Sequence, residues 1–258
     1  MNKLPFNNTI CRLFANNTFY KFFSTIPGVC EKHTARLSIE GNIGAGKSTL
    51  LQVLTKNFGD ELEIKFEPVD RWKDCRGSNL LEAFYKDPKR YAYTFQSFAF
   101  ITRMMDHVQT RNILVFERSP LSDYCFAKNC YDLGLMNDLE WNVYQEWWSH
   151  FTKILPSAMP EGIIFLNTSP EKCLERVNTR SRSEEKTLEL SYLARLHEQH
   201  QEWFSDPNEK DKFNYLPFTV LDGDEEFDTD EDAQLAMIYK IKRLVEQVKA
   251  NKLNFLSF

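Results

Sequence analysis

The chain has 258 residues, of which 42% are hydrophobic and 27% are charged, a composition typical of a globular domain. Its net charge of −5 argues against a protein that binds duplex nucleic acid, because such a protein needs a basic face. No apolar run approaches the ~20 residues of a membrane-spanning helix, so we expect no membrane partner either.

The amino-terminal segment differs in composition from the rest of the chain. It carries three basic residues, and no acidic residue occurs before Glu31. Its phenylalanines are interleaved with Asn, Ser and Thr, a pattern that favours a mitochondrial transit peptide over a disordered extension that carries no targeting signal. We expect a leader over 1–33 and a folded domain over 34–258. The cysteines show no C-x-x-C or metal spacing, which favours reduced thiols in an intracellular protein. Together with the leader, this predicts a mitochondrial location, with the cytoplasm as the alternative.

Short apolar runs alternate with longer periodic stretches along the folded part. The runs predict strands at Ala35–Glu40, 62–67, Ile113–Glu117, Gly162–Asn167 and Phe218–Asp222. The stretches between them predict helices at about 47–57, 79–109, 137–155, 170–181, 187–204 and 231–250. Strands that alternate with helices predict an α/β fold, a five-stranded parallel sheet with helices on both faces. Asn137 and Glu140 resemble a capping box at the start of the third of these helices.

A glycine-rich segment between the first strand and the first helix has the spacing of a phosphate-binding loop. Its glycines let backbone N–H groups face the β- and γ-phosphates of a nucleotide, while Lys47 adds a positive charge and Ser48 can hold Mg²⁺. A chance glycine-rich turn rarely has every fixed position in this strand–turn–helix context. The predicted phosphate contacts are Gly41, Asn42, Ile43, Gly44, Ala45, Gly46, Lys47, Ser48 and Thr49.

Charged residues close the predicted strands at their carboxyl ends, where an open parallel sheet binds its ligands. Glu67 precedes Pro68, which keeps it extended, and its carboxylate can accept the proton of an attacking hydroxyl. Arg118 can orient that carboxylate, and Glu117 can complete a Mg²⁺ site with Ser48. Each residue alone is equally compatible with a structural ion pair, but their placement around one loop favours catalysis.

Three arginines follow the predicted helix at 170–181. Arg176, Arg180 and Arg182 can close over the phosphates as a lid and neutralise the transferred group. Taken alone, the segment is also compatible with a solvated helix end, because Glu184 and Glu185 follow at once. The presence of a phosphate-binding loop favours the interpretation of these arginines as a lid.

Several segments together resemble the deoxyribonucleoside kinase family, and most closely its deoxyguanosine/deoxycytidine branch. They are IEGNIGAGKST, EPVDRW (67–72), NLLEAFY (79–85), TFQSF (94–98), ERS (117–119), EW and YQEW (140–147), RSRSEE (180–185) and LDGDEEF (221–227). The resemblance covers about 37–227 in order and at family spacing. It implies a P-loop kinase fold with an arginine-rich lid, ATP as phosphate donor, Mg²⁺ as cofactor, and a homodimer formed through the helix at 137–155.

The resemblance also implies roles for individual residues. Glu67 would be the base for the 5′-hydroxyl, with Arg118, Glu117 and Lys47 as further catalytic residues. Tyr85 and Glu185 would hold the 3′-hydroxyl, and Gln96 would bond the nucleobase. The remaining contacts would be Trp72, Leu81, Phe95 and Phe126 around the base, Arg176, Arg180 and Arg182 in the lid, and Glu226 and Phe227 along the adenine of ATP.

The resemblance places the choice of nucleobase on Arg103 and Asp123. A charged pair offers donors and an acceptor to a purine edge, whereas the thymidine-preferring branch has small or apolar residues there. We therefore expect a purine deoxynucleoside as substrate, with deoxycytidine or a broad specificity as the alternative. The loop between Trp72 and Asn79 is short for this family, which favours an open site.

Two other nucleotide-binding functions compete with this prediction. A nucleoside monophosphate kinase would phosphorylate an acceptor that already carries phosphate, which a carboxylate at Glu67 would repel. A regulatory GTPase usually carries an N-K-x-D motif, and residues 208–211 have the wrong order. Both alternatives fit the sequence less well than phosphorylation of a deoxynucleoside.

Overall fold

The structure is a computed structural model that describes residues 34–105, 111–180, 182–185, 188–205 and 216–255. The predicted leader at 1–33 lies outside these residues. The strands are β1 (Ala35–Glu40), β2 (Leu62–Lys65), β3 (Ile113–Glu117), β4 (Gly162–Asn167) and β5 (Phe218–Asp222). The helices are α1 (Lys47–Phe58), α2 (Val69–Lys73), α3 (Leu80–Lys86), α4 (Pro88–Met104), α5 (Pro120–Asp132), α6 (Asp138–Ile154), α7 (Pro170–Arg180), α8 (Leu190–Ser205) and α9 (Glu231–Phe255).

The five strands form one parallel sheet in the order β2-β3-β1-β4-β5. The predicted α/β fold with a parallel sheet is therefore confirmed. Strand β1 lies at the centre, and its register aligns Ile39 with Glu117 of β3 and with Ile164 of β4. The carboxyl ends of β1 and β3 consequently lie side by side, which brings the loop after β1 next to the residues that follow β3.

Apolar residues cover both faces of the sheet. On one face Leu37 and Ile39 belong to a core that α1 and α9 complete. On the other face Phe165 stacks on His200 of α8, with ring centroids 6.1 Å apart. A second apolar cluster lies among α3, α4, α5 and α6 and includes Tyr144, which is fully buried. The candidate site lies where this second cluster meets the carboxyl ends of the strands.

The structure corrects one predicted strand boundary and one predicted helix, and it contains two helices that were not predicted. Strand β2 ends at Lys65, which pairs with Phe116, so Glu67 lies beyond the ladder. The single helix expected at 79–109 is two helices separated at Asp87, because a residue before proline is disfavoured in helical conformation. Helices α2 and α5 were not expected. Pro120 was the sequence signal for α5, because proline suits the first turn of a helix, whereas Pro68 lies just before α2.

Helix α6 begins with the predicted capping box. The side chain of Asn137 accepts from the Glu140 N–H at 3.0 Å, and the Glu140 carboxylate accepts from the Asn137 N–H at 3.0 Å. The helix buries Trp141 and Tyr144, whereas 72% of Leu139 is exposed. None of the described helices combines the length and the apolar composition that a membrane crossing requires.

Candidate active site

The loop between β1 and α1 is held in a tight curl by glycine. Gly44 has a φ of +78°, a left-handed conformation that other residues rarely adopt. A Cβ atom added at Gly44 would collide with the backbone carbonyl of Cys173 in α7. The loop therefore packs directly against α7, and its curl depends on the absence of a side chain at this position.

Gly44→Ala should weaken ATP binding by about tenfold or more, because it combines backbone strain with a collision inside the loop. Isothermal titration with ATP and the melting temperature would measure this effect. Gly134→Ala is the matched control, since Gly134 also has a positive φ of +67° but has open space around its Cα. The control should lose some stability and keep its ATP affinity. Equal ATP binding by the Gly44 variant and the wild type would contradict the prediction.

Lys47 lies in the concave side of this loop and is almost fully buried. Its Nζ donates to the carbonyl of Asn42 at 2.7 Å and to the carbonyl of Gly41 at 3.4 Å. Burial, and next the charge of Arg118, lower the pKa of Lys47 to about 7. An amine in this setting gains from an anionic ligand, because phosphate oxygens would replace the loop carbonyls as charged partners.

Ser48 and Glu117 place two oxygen ligands side by side. The Ser48 hydroxyl donates to Glu117 Oε1 at 2.8 Å. Among the described residues there is no group of three or more His, Cys, Asp or Glu side chains that could hold a metal ion. Mg²⁺ bound with a nucleotide commonly uses one or two protein oxygens and takes its other ligands from phosphates and water. The pair therefore fits such a Mg²⁺ site.

Glu67 lies between two guanidinium groups at the edge of this site. Its Oε1 is 2.9 Å from Arg118 Nε and 3.2 Å from Arg103 Nη2. Burial alone would raise the pKa of Glu67, but the charges of Arg118 and Arg103 outweigh burial and hold this pKa below its ordinary value. Glu67 is therefore an ionised carboxylate at neutral pH, fixed in direction by both arginines.

Arg118 connects Glu67 to the phosphate-binding loop. Its Nη1 donates to the carbonyl of Gly41 at 2.8 Å, and its guanidinium lies 4.5 Å from the ring centroid of Phe126. The backbone of Arg118 is left-handed, with a φ of +65°, which is rare for a residue with a side chain. Its own N–H donates to the carbonyl of Ile39 at 3.1 Å. This turn aims the guanidinium into the site.

Arg103 and Asp123 form a buried ion pair behind Glu67. Arg103 Nε lies 2.9 Å from Asp123 Oδ2, and Arg103 Nη1 donates to the carbonyl of Glu117 at 2.8 Å. Burial, only partly offset by Arg103, raises the pKa of Asp123 to about 6. The bond to Arg103 uses Asp123 Oδ2, and Asp123 lines the cavity. The pair can therefore offer an acceptor to a ligand.

One cavity of about 790 Å³ contains these groups. Aromatic rings form its inner wall: Phe95 stacks on Phe84 at 4.8 Å and meets Trp72 edge-on at 5.5 Å. Its other predicted lining residues are Ile43, Gly44, Ala45, Gly46, Lys47, Ser48, Thr49, Leu81, Tyr85, Gln96, Phe126, Arg176, Arg180, Arg182, Glu185, Glu226 and Phe227. Gly41 and Asn42 belong to the loop but do not line the cavity. The predicted site residues other than Gly41 and Asn42 therefore lie together around one cavity.

The arginine segment is anchored by acidic residues at its carboxyl end. Glu185 Oε2 accepts from Arg180 at 2.6 Å, and its Oε1 lies 3.4 Å from Arg182. Glu184 lies 3.1 Å from Lys73 Nζ, which ties the segment to α2. Two of the three predicted lid arginines, Arg180 and Arg182, are therefore paired with the same carboxylate.

Arg176 donates to backbone carbonyls instead of to a carboxylate. Its Nη1 lies 2.7 Å from the carbonyl of Gly223 and 3.2 Å from that of Ala45. It thereby joins the phosphate-binding loop to the segment after β5. Phe227 in that segment is fully buried, and its ring would lie 3.2 Å from a Cβ atom at Gly46.

Comparison with known proteins gives a consistent result. The family model described as deoxynucleoside kinase matches residues 37–246. The chain belongs to the deoxynucleoside kinase family. As a member of this family it is an enzyme that phosphorylates deoxynucleosides, and its α/β architecture is the P-loop kinase fold.

Curated relatives of this kinase carry two different substrate names. A probable deoxycytidine kinase of fowlpox virus is 39% identical over 83% of this chain and 89% of its own length. A mitochondrial deoxyguanosine kinase of Xenopus laevis is 36% identical over 83% of this chain and 91% of its own. A human deoxycytidine kinase is 34% identical over 81% and 90%.

Some residues that line the cavity of this deoxynucleoside kinase were not predicted from the sequence. Tyr192 of α8 and Lys172 of α7 line the cavity, and Lys172 Nζ lies 2.5 Å from Glu226 Oε1. Neither residue belongs to a motif, although both of their helices lie between β4 and β5. Helical periodicity marks which face of a helix is apolar but does not reveal which polar residue lies at the rim of a cavity.

Proposed function

We propose that this protein transfers the γ-phosphoryl group of ATP to the 5′-hydroxyl of a purine deoxynucleoside, deoxyguanosine or deoxyadenosine, in nucleotide salvage. The observation that carries the proposal is the ionised Glu67, held by Arg118 and Arg103 beside the phosphate-binding loop. An acceptor hydroxyl needs a carboxylate of this kind, whereas an acceptor phosphate would be repelled by it.

Each charged group near the loop has a part in the proposed transfer. Glu67 accepts the proton of the 5′-hydroxyl as the new P–O bond forms, and the released ADP carries the former bridging oxygen. Arg118 keeps Glu67 aligned and faces the developing charge, while Lys47 binds the β- and γ-phosphates. Mg²⁺, held by Ser48 and Glu117, would supply charge neutralisation on the phosphates. Arg180 and Arg182 neutralise the transferred group from the lid side.

The sugar and the base occupy the aromatic half of the cavity in this proposal. Burial, and next the nearby Glu185, raise the pKa of Tyr85 well above its ordinary value, so its phenol stays a hydrogen-bond donor. Tyr85 and Glu185 can together bind the 3′-hydroxyl as donor and acceptor. Trp72 and Phe95 lie where they can pack on the faces of a base, and Gln96 can bond its edge.

The preference for a purine rests on the Arg103–Asp123 pair. Asp123 can accept from the N1–H of guanine or from the exocyclic amine of adenine, and Arg103 adds positive charge beside it. Deoxycytidine is the second candidate, because its exocyclic amine can bond the same carboxylate and because several relatives are named deoxycytidine kinases. A thymine base presents a methyl group to this position and suits the pair less well.

A substrate panel tests the proposal directly. Purified protein with ATP and Mg²⁺ should phosphorylate deoxyguanosine or deoxyadenosine with a higher kcat/KM than deoxycytidine or thymidine. Parallel reactions with dGMP as acceptor serve as the control for a nucleoside monophosphate kinase. Faster phosphorylation of dGMP would overturn the proposal, and a clear preference for deoxycytidine would replace its purine part with the second candidate.

The pKa of Asp123 gives the reaction an expected pH dependence. Asp123 is ionised above its pKa of about 6, so kcat/KM for deoxyguanosine should fall about tenfold per pH unit below that value. Glu67 stays ionised over this range because its pKa is lowered. The measurement is kcat/KM between about pH 5 and pH 7, with Asp123→Asn as a control whose profile should lack this fall. A flat wild-type profile would exclude Asp123 as the acceptor.

A homodimer and a mitochondrial location complete the proposal. Helix α6 supports the dimer, because 72% of Leu139 and 45% of Trp147 are exposed eight residues apart on this helix. Sedimentation velocity would show one species of twice the monomer mass. The composition of the leader and the name of the mitochondrial relative support the location.

A further inference from the structure

Glu40, at the carboxyl end of β1, is a fully buried carboxylate outside the substrate cavity. A carboxylate removed from water is unfavourable unless hydrogen bonds compensate it. Glu40 Oε1 accepts from the Ser119 hydroxyl at 2.6 Å, and Oε2 accepts from the Ser122 hydroxyl. Both oxygens are therefore committed to one short segment at the start of α5.

The two serines flank this segment at positions that adjoin the proposed site. Ser119 directly follows Arg118 and caps α5, since its Oγ accepts from the Leu121 N–H at 3.2 Å. Ser122 directly precedes Asp123 in the first turn of the same helix. A carboxylate that binds both hydroxyls fixes the beginning and the end of this turn together.

The turn needs such an anchor because Arg118 has a left-handed backbone. Conformations of this kind persist only where the surroundings hold them. The backbone of β1 contributes one bond, from the Arg118 N–H to Ile39, and the side chain of Glu40 contributes the bond to the next residue, Ser119. Strand β1 thus holds the turn through two consecutive residues.

We propose that Glu40 is a positioning residue for phosphoryl transfer. Through Ser119 it holds Arg118 against Glu67, and through Ser122 it holds Asp123 against Arg103. The inference rests on the roles of Arg118 and Asp123 under the proposed function. A carboxylate that served only the stability of the fold would leave kcat and base preference unchanged in the folded enzyme.

Kinetics of Glu40→Gln and Ser122→Ala test the positioning role. Glutamine keeps the shape of Glu40 but replaces one acceptor oxygen with a donor, so kcat should fall about 10- to 100-fold, as small misplacements of catalytic groups do. The KM for ATP should stay within about twofold, because the side chain does not reach the phosphate-binding loop. Ser122→Ala should chiefly lower the ratio of kcat/KM for deoxyguanosine to that for thymidine.

Ser38→Ala is the matched control on the same strand. Ser38 is fully buried, and within the part of the chain that the structure describes its hydroxyl has no hydrogen-bond partner. This variant should keep the wild-type kcat and base preference. Circular dichroism and melting temperatures confirm that each variant is folded, and Ser122→Ala carries the test if Glu40→Gln does not fold.

The outcomes separate the positioning role from the function on which it rests. An active wild type together with a wild-type kcat in Glu40→Gln, or an unchanged base preference in Ser122→Ala, overturns the role of Glu40 alone. A kcat loss in Ser38→Ala equal to that in Glu40→Gln overturns it as well. A wild-type protein inactive on all four deoxynucleosides rejects the proposed function and the positioning role together.

Discussion

Glu67→Gln should lower kcat by about 10²-fold or more, since general-base catalysis contributes about 10²–10⁴-fold. The amide cannot accept the proton of the 5′-hydroxyl, and it removes the negative charge that Arg118 and Arg103 share at 2.9 Å and 3.2 Å. The affinity for the deoxynucleoside should fall much less, because the aromatic wall of the cavity is untouched. Steady-state kinetics and equilibrium binding of deoxyguanosine would measure the two effects separately.

Glu63→Gln is the matched control for this experiment. Glu63 lies on β2, four residues before Glu67, and pairs with Lys65 at 3.0 Å outside the cavity. The control should retain the wild-type kcat, because it removes the same kind of charge from the neighbouring strand without touching the site. A Glu67→Gln enzyme with near-wild-type kcat would remove Glu67 from the base role.

Arg103→Met should destabilise the protein by about 3–5 kcal/mol, because it leaves the buried Asp123 without its cationic partner, whereas Asp123→Ala should cost less because Arg103 keeps its ion pair with Glu67. Side-chain exposures of 7% and 5% mean that water does not compensate for the loss. The double variant should be more stable than the worse of the two single variants, since it removes both charges. Denaturant unfolding of the four proteins forms a double-mutant cycle that measures the coupling.

The same double variant should change the choice of nucleobase. Without the charged pair, the pocket offers apolar space to the methyl group of thymine, so the ratio of kcat/KM for thymidine to that for deoxyguanosine should rise. Because Arg103 also contacts Glu67, kcat should fall for both substrates. Arg36→Met with Glu161→Ala is the control, a 2.7 Å ion pair remote from the cavity. An unchanged base preference in the double variant would show that other residues read the base.

The sequence predicted the sheet because each strand is a short apolar run with polar residues at its carboxyl end. The parallel arrangement confirmed in the structure follows from strands that alternate with helices. The phosphate-binding loop could be predicted equally well from the sequence, because its chemistry depends on spacing within a few residues. Glu67 and Arg118 could be placed near the loop from strand ends alone, without knowledge of the strand order.

Contacts between residues distant in sequence could not be predicted in the same way. Arg103 reaches Glu67, Asp123 and the backbone of Glu117 at once, and no local pattern connects α4 with β2. The sequence placed Glu40 among the polar strand ends of the ligand crevice, whereas the structure buries it against α5. The direction of a side chain at a strand end depends on the helix that packs there, and α5 was not expected from the sequence.

The left-handed backbone at Arg118 limits how the thermal tolerance of this kinase could be engineered. A non-glycine residue in this conformation costs about 1–3 kcal/mol, which glycine would relieve, but glycine would also remove a buried ionic partner of Glu67 and the bond to Gly41. The same change would delete the guanidinium that holds Glu67. The strained backbone is therefore tied to the catalytic role of the same residue, a local trade-off between backbone strain and activity. Position 118 is best held constant while thermostabilising changes are sought on the solvent-facing helices.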